Sequence, residues 1–148
     1  MASMTLASAG KPPTLRTPMA QQFKILVADP IAEKGIELLK AEPSFSVEVK
    51  LGLKAEADFA EAAKDAHAII VRSGVKVTAK VIEAAKNLRA VGRAGVGVDN
   101  IDVPAASKRG VVVMNTPGGN TISTAEQAFT LMMSLARKTP QAHASIVA

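Results

Sequence analysis

Gly92-Arg93-Ala94-Gly95-Val96-Gly97-Val98-Asp99-Asn100-Ile101-Asp102, joined at Val113 by Val-Met-Asn-Thr-Pro-Gly-Gly-Asn to Asn120 and then by Ser123-Thr124-Ala125-Glu126-Gln127, sets the architecture of this chain. An apolar segment, Leu88 to Val91, breaks into three glycines within six residues and carries a cation, Arg93, at the break. Such a loop turns sharply and brings backbone N–H groups close to a ligand. A second apolar run, Val111 to Met114, breaks at Asn115 to Asn120 just ahead of a helix start. Two strand ends with Gly-rich loops side by side predict an anion crevice. The glycine order at Gly92, Gly95 and Gly97 is G-x-x-G-x-G, the wrong order for a dinucleotide fingerprint. No long helix follows directly, and the acid expected about 20 positions on would fall near Pro117, whereas the nearest downstream acid is Glu126.

Upstream, strand and helix patterns alternate. Ile25 to Ala28 is a short apolar run ending at Asp29-Pro30, which reads as an N-cap with proline at the first helical position of a helix carrying Ile31, Ile36 and Leu39. Phe45 to Leu51 alternates apolar and polar residues, as a less buried strand does. Lys54 to Lys64 is an Ala- and Glu-rich helix anchored by Phe59, and Ala68 to Val71 is an apolar strand closed by Arg72-Ser73-Gly74. Thr78 caps a helix with Val81, Ile82 and Ala85 inward; Asp102 opens a short one that stops at Gly110. Ser123 to Glu126 forms a capping box for a helix to Lys138 with the stripe Ala125, Ala128, Phe129, Met132 and Ala136, and Thr139-Pro140 start another segment.

Apolar strands alternating with helices predict an α/β fold, a parallel sheet with helices on both faces. Five such strands fit a flavodoxin-like domain. Ligands of that architecture bind at the C-terminal strand ends, which here display Asp29, Arg72 to Gly74, Gly92 to Gly97 and Asn115 to Asn120.

Composition narrows the function classes. The 148 residues are 48% hydrophobic and 21% charged, with no Trp or Tyr and four Phe, so the core is built of Val, Ile, Leu, Ala and Met. Absence of Cys excludes a disulfide framework and any thiolate nucleophile or ligand. Two of the five net positive charges, on Lys11 and Arg16, sit in the acid-free first 22 residues, and the remainder is too scattered to point to nucleic acid. No apolar run reaches the roughly 18 residues of a membrane span. His67 and His143 have no acid partner at a meaningful spacing, so no metal site is expected. Residues 1–22, rich in Ala, Ser, Thr and Pro, are expected to be an unstructured tail. The start-like Met19 favours a functionless extension and a cytoplasmic protein over the alternative, a plastid or mitochondrial transit peptide in residues 1–18.

From about residue 24 to 146 the chain resembles the D-isomer-specific 2-hydroxyacid dehydrogenase family, and the Gly-Arg-Ala-Gly-Val-Gly-Val-Asp-Asn run favours its members that act on a phosphorylated acid. The resemblance implies NAD-dependent oxidation of a 2-hydroxy acid, with 3-phosphoglycerate, the acid that feeds serine biosynthesis, as first candidate. It places Arg72 and Arg93 on the phosphorylated hydroxy acid, Ser73, Gly74 and the backbone of Gly95, Val96 and Gly97 on its carboxylate, and Asn120 in the active site. Val96 also falls where the family touches the nicotinamide. Residues 23–117 would be the substrate-binding domain, and 118–148 a linker helix and the truncated start of an NAD-binding domain. The family's catalytic histidine, its carboxylate partner and its catalytic arginine lie further along, so no catalytic residue is expected here, and the full-length protein would be a homodimer.

Read without the resemblance, each site residue has a plainer role. Arg72 and Arg93 at strand ends would form ion pairs with Asp99 or Asp102, and Asn120 would be a polar residue ahead of a helix. The alternative to an enzyme's substrate-binding half is a non-catalytic flavodoxin-like binding or regulatory module. A phospho-receiver is disfavoured because the third strand ends in Arg72 where an acceptor aspartate is needed.

Overall fold

The structure, a computed structural model, describes residues 22–147, so the reading of residues 1–21 as a tail or a transit peptide lies outside the described residues. The elements run β1 (Phe23–Val27), α1 (Glu33–Ala41), β2 (Phe45–Val49), α2 (Glu56–Ala63), β3 (Ala68–Val71), α3 (Ala79–Ala84), β4 (Ala90–Arg93), α4 (Val103–Lys108), β5 (Val112–Asn115), α5 (Thr121–Ala136) and α6 (Thr139–Val147). All five strands pair in parallel, in the order β2-β1-β3-β4-β5, as the alternation of apolar strands and helices predicts.

Register explains the core. Leu26, Ile69, Val91 and Val113 stand side by side across β1, β3, β4 and β5. Phe59 and Ala63 of α2, Val81 and Ile82 of α3 and Ala106 of α4 close over that face. Phe59 and Ala63 are four residues apart and so share one side of their helix. On the opposite face Ile25 and Val27 are buried and α1 lies against β2. Val112 and Met114 of β5, by contrast, are 56% and 54% exposed. The expected two-sided cover is therefore fuller on the face under α2, α3 and α4 than on the other.

Several local expectations hold. The Thr78 side chain accepts the N–H of Val81, Asp102 accepts that of Ala105 at 3.0 Å, and Gly110 adopts φ +69° just beyond α4, a conformation costly for any residue with a Cβ. Three need correction. Asp29 caps nothing: α1 starts at Glu33, and the carboxylate is drawn instead to the loop after β3. Ser123 is no N-cap either, because the turn over Thr116 to Gly119 feeds the helical ladder directly at Thr124 N–H to Asn120 O, and the Ser123 hydroxyl donates back to Asn120 O. Finally, β4 does not break at Gly92. Leu88 is taken up in a turn, with its N–H on Ala85 O, and pairing runs on through Gly92, opposite Ile70 and Met114, to Arg93.

The starts of α2 and α3 are tied by Glu56, which accepts the Thr78 hydroxyl at 2.6 Å and pairs with Lys80 at 3.1 Å. The Thr78 hydroxyl first, then Lys80, hold the Glu56 carboxyl below its ordinary value of 4.5. A folded acid stronger than the unfolded one contributes stability that is full above the unfolded pKa and is lost as pH falls through the folded one. The stability difference between wild type and Glu56→Gln, measured by urea denaturation, should therefore shrink between about pH 6 and pH 3. A difference that grows on acidification would contradict the assignment.

Candidate functional site

Polar groups gather on the rim formed by the C-terminal ends of the strands, and three strand-end loops shape a cleft there of about 300 Å³. Arg72 after β3, Ala94, Gly95 and Val96 after β4, and Thr116, Gly119 and Asn120 after β5 line it. The guanidinium of Arg72 has no acid partner among the described residues and is exposed, so it is the cation the cleft can offer a ligand.

Arg93 is arranged differently. Its side chain is 9% exposed; its Nε donates to Arg72 O at 3.3 Å and its Nη2 meets Asp99 Oδ1 at 3.4 Å. The ion pair expected without the resemblance is thus present, though Asp99 is 83% exposed and holds the guanidinium by one long contact. The guanidinium lies against the glycine loop: a Cβ on Gly97 would come within 2.9 Å of Arg93 Nη1 and 2.7 Å of Asp99 Oδ1. Glycine at 97 is what lets the charge sit there.

Backbone donors divide into used and unused. The N–H of Gly95 is spent on Arg93 O, so the expected trio of loop donors is reduced to Val96 and Gly97, which meet no acceptor among the described residues. In the loop after β3, Asp29 Oδ2 takes the N–H groups of Arg72 at 2.7 Å, Gly74 at 3.1 Å and Val75 at 3.3 Å. The N–H of Ser73 is left without a partner among the described residues. Gly74 therefore offers no donor to a ligand. Its contribution is absence, since a Cβ there would collide with the Asp29 carboxylate.

Of the eight residues singled out from sequence, Arg72, Gly95, Val96 and Asn120 line one cleft, while Ser73, Gly74, Arg93 and Gly97 belong to the same strand ends without lining it. Asn120 occupies the N-cap position of α5 without a capping side-chain bond. Residues that sequence reasoning missed are those behind the loops: Asn100, Asn115 and Thr116, besides Asp29 in its actual role. The only signal was their place in the two polar runs.

Two other hollows do not converge on a ligand. One of about 420 Å³ beside β1, β2 and α2 is lined by charges already paired, Lys24 with Asp65 and Lys50 with Glu48. Another, of about 320 Å³, is lined by Lys54, Glu56, Phe59, Gly74, Lys76 and Thr78, of which Glu56 is already held by Thr78 and Lys80. Among the described residues no three His, Cys, Asp or Glu gather as a metal site, and no helix is long and apolar enough to cross a membrane. The Gly95–Gly97 loop is not a pyrophosphate cradle, because it runs into the turn before α4 rather than into a helix N-terminus, the feature that grips phosphates in dinucleotide folds.

Residues 25–148 match the family described as D-isomer specific 2-hydroxyacid dehydrogenase, catalytic domain. The chain is 56% identical over 124 residues to D-3-phosphoglycerate dehydrogenase of Archaeoglobus fulgidus, covering 84% of this chain and 23% of that protein. With the enzyme of the same name from Synechocystis it shares 46% over 144 residues, 97% of this chain and 26% of the other. The chain thus spans about a quarter of the length of these relatives. Among solved structures, NAD+-bound 3-phosphoglycerate dehydrogenase of Entamoeba histolytica superposes with a TM-score of 0.67 at 36% identity, over 76% of this chain and 39% of that one. The TT0316 protein of Thermus thermophilus gives 0.71 at 31% identity, over 82% and 39%. The chain belongs to the D-isomer specific 2-hydroxyacid dehydrogenase family.

Proposed function

We propose that this chain is the substrate-binding half of an NAD-dependent dehydrogenase that oxidises 3-phosphoglycerate at C2, a reaction that feeds serine biosynthesis. The observation that carries the reading is the cleft, which brings one accessible guanidinium, Arg72, together with the unpartnered N–H of Val96, with those of Ser73 and Gly97 next to these two residues in the chain. A carboxylate is suited to the N–H groups of Ser73, Val96 and Gly97, and a phosphate to the Arg72 fork. Arg93 supports the loop from below and adds positive potential there. Asn120, at the mouth, is placed for the substrate's polar groups.

NAD, when bound, supplies the hydride acceptor. From this chain it would meet only the apolar surface of Val96, which is 43% exposed beside the cleft. Residues 23–117 act as the substrate domain; α5, which buries none of its side chains, leads from it toward a nucleotide-binding domain in residues 118–148 and beyond. The histidine that would move the substrate's hydroxyl proton is not supplied by this cleft, so the 148 residues alone should be inactive. The full-length protein would be a homodimer acting in the cytoplasm.

An NMR titration of the 148-residue chain with 3-phosphoglycerate and with lactate tests this. With water in the cleft, Coulomb terms fall toward the bulk value of about 1 kcal/mol at 4 Å, so affinity should be about millimolar and salt-sensitive. Shifts should cluster at 72–73 and 95–97, larger for the phosphorylated acid, and Arg72→Ala should abolish that difference. Equal response to both acids, or shifts centred on the Lys24–Asp65 hollow, would favour a generic binding module.

A further inference from the structure

The unpartnered donors in and next to the cleft have one feature in common, visible on the opposite side of each peptide group. None of the described peptide bonds is cis, and in a trans peptide the N–H points away from the C=O of the preceding residue. A side chain that fixes the carbonyl therefore aims the next residue's N–H. The carbonyl of Arg72 accepts Asn100 Nδ2 at 2.7 Å and Arg93 Nε at 3.3 Å, which turns the Ser73 N–H away from both side chains. The carbonyl of Gly95 accepts the Thr116 N–H at 2.9 Å and its hydroxyl at 3.3 Å, which turns the Val96 N–H away from β5. The carbonyl of Val96 accepts Asn115 Nδ2 at 2.5 Å, which does the same for Gly97.

Asn100 shows that the arrangement is specified. It is 8% exposed, gives both amide hydrogens to carbonyls, those of Arg72 and of Val75 at 2.7 Å each, and leaves its own Oδ1 buried without an acceptor's partner. Turning the amide round would set its oxygen against two carbonyl oxygens, so the orientation is determined. Its backbone is fixed independently: Asn100 O accepts Val77 N–H, and Ile101 bridges to Val77. The side chain can thus be removed while the backbone pairing stays. An interior amide with an unsatisfied oxygen carries a cost, and the two carbonyls it holds are what the chain gains by it.

We propose that Asn100 and Asn115 are positioning residues that aim the Ser73 and Gly97 N–H groups at the carboxylate of the bound acid. The inference rests on the proposed function and deepens it, by separating the carboxylate end of the site from the phosphate end. Neither side chain touches the ligand. Each acts through a carbonyl on the reverse of the peptide that does.

The test is the affinity of the 148-residue chain for 3-phosphoglycerate and for unphosphorylated glycerate, by NMR titration of wild type, Asn100→Ala, Asn115→Ala and Asn115→Asp, with thermal melts alongside. Loss of an orienting side chain behind a ligand contact should weaken binding about tenfold. The loss should be equal for the two acids, because both carry the carboxylate, whereas Arg72→Ala weakens only the phosphorylated one. Asn115→Asp is isosteric but cannot donate, so it should behave like Asn115→Ala. Asn115 is exposed and its variants should melt as wild type does, which keeps the test usable even where Asn100→Ala unfolds. Binding of both acids unchanged in the folded variants would overturn this inference alone. No response in the wild-type chain would overturn the proposed function and this inference with it.

Discussion

Asp29→Ala should lower the unfolding free energy of the chain by about 3 kcal/mol, more than any other single change on the rim. Asp29 is 5% exposed, and one of its carboxylate oxygens accepts three backbone N–H groups from the loop 43 to 46 residues further on. Hydrogen bonds to a charged acceptor contribute about 1.5–3 kcal/mol each, less the cost of taking the carboxylate out of water. Removal also strands three donors, of which that of Val75 is on a buried residue. Asn at this position keeps one acceptor of the right reach and should recover about half of the loss. Urea denaturation followed by circular dichroism measures it; a deficit below about 1 kcal/mol would mean that water replaces the carboxylate without difficulty.

Phe59→Ala should cost about 3–5 kcal/mol, the usual range for emptying the place of a buried aromatic ring. Phe59 is 1% exposed and is the largest fully buried side chain, seated between the helices and the sheet in a core with no other large ring. Because small domains hold only about 5–15 kcal/mol in total, the variant should melt far below wild type, and Phe59→Leu should recover most of the loss. The fraction that stays folded should give the same 3-phosphoglycerate titration as wild type, whatever that titration shows, since Phe59 has no part in the rim of Arg72, Gly95 and Asn120. Asp29→Ala differs there: it loosens the loop that carries Arg72. The two variants separate loss of fold from loss of site.

What could be read from sequence was local or periodic. The β3 strand was legible residue for residue as the run Ala68 to Val71, and the caps Thr78 and Asp102 were legible because a cap bonds within three residues of itself. Asp29 misled for the same reason. Asp-Pro has the local grammar of a helix start, and nothing nearby in the chain shows that its partners lie 43 to 46 residues away. The Ser123 box failed because the turn at Thr116 to Gly119 had already started the helix. Arg93 stood undecided between ion pair and ligand in the sequence. Its burial against Gly95 and Gly97 is a tertiary fact, although the glycines that permit it were in plain view.

The strand order has a consequence of its own. Sheets ordered 2-1-3-4-5 reverse direction between β1 and β3, and proteins of this architecture commonly receive a cofactor in the gap that opens where the two connections diverge. Here the gap holds Asp29, whose carboxylate collects the amide hydrogens that a visiting phosphate would otherwise find. The chain has internalised the anion of its own fold. What stays open on the rim is the cleft among the loops after β3, β4 and β5.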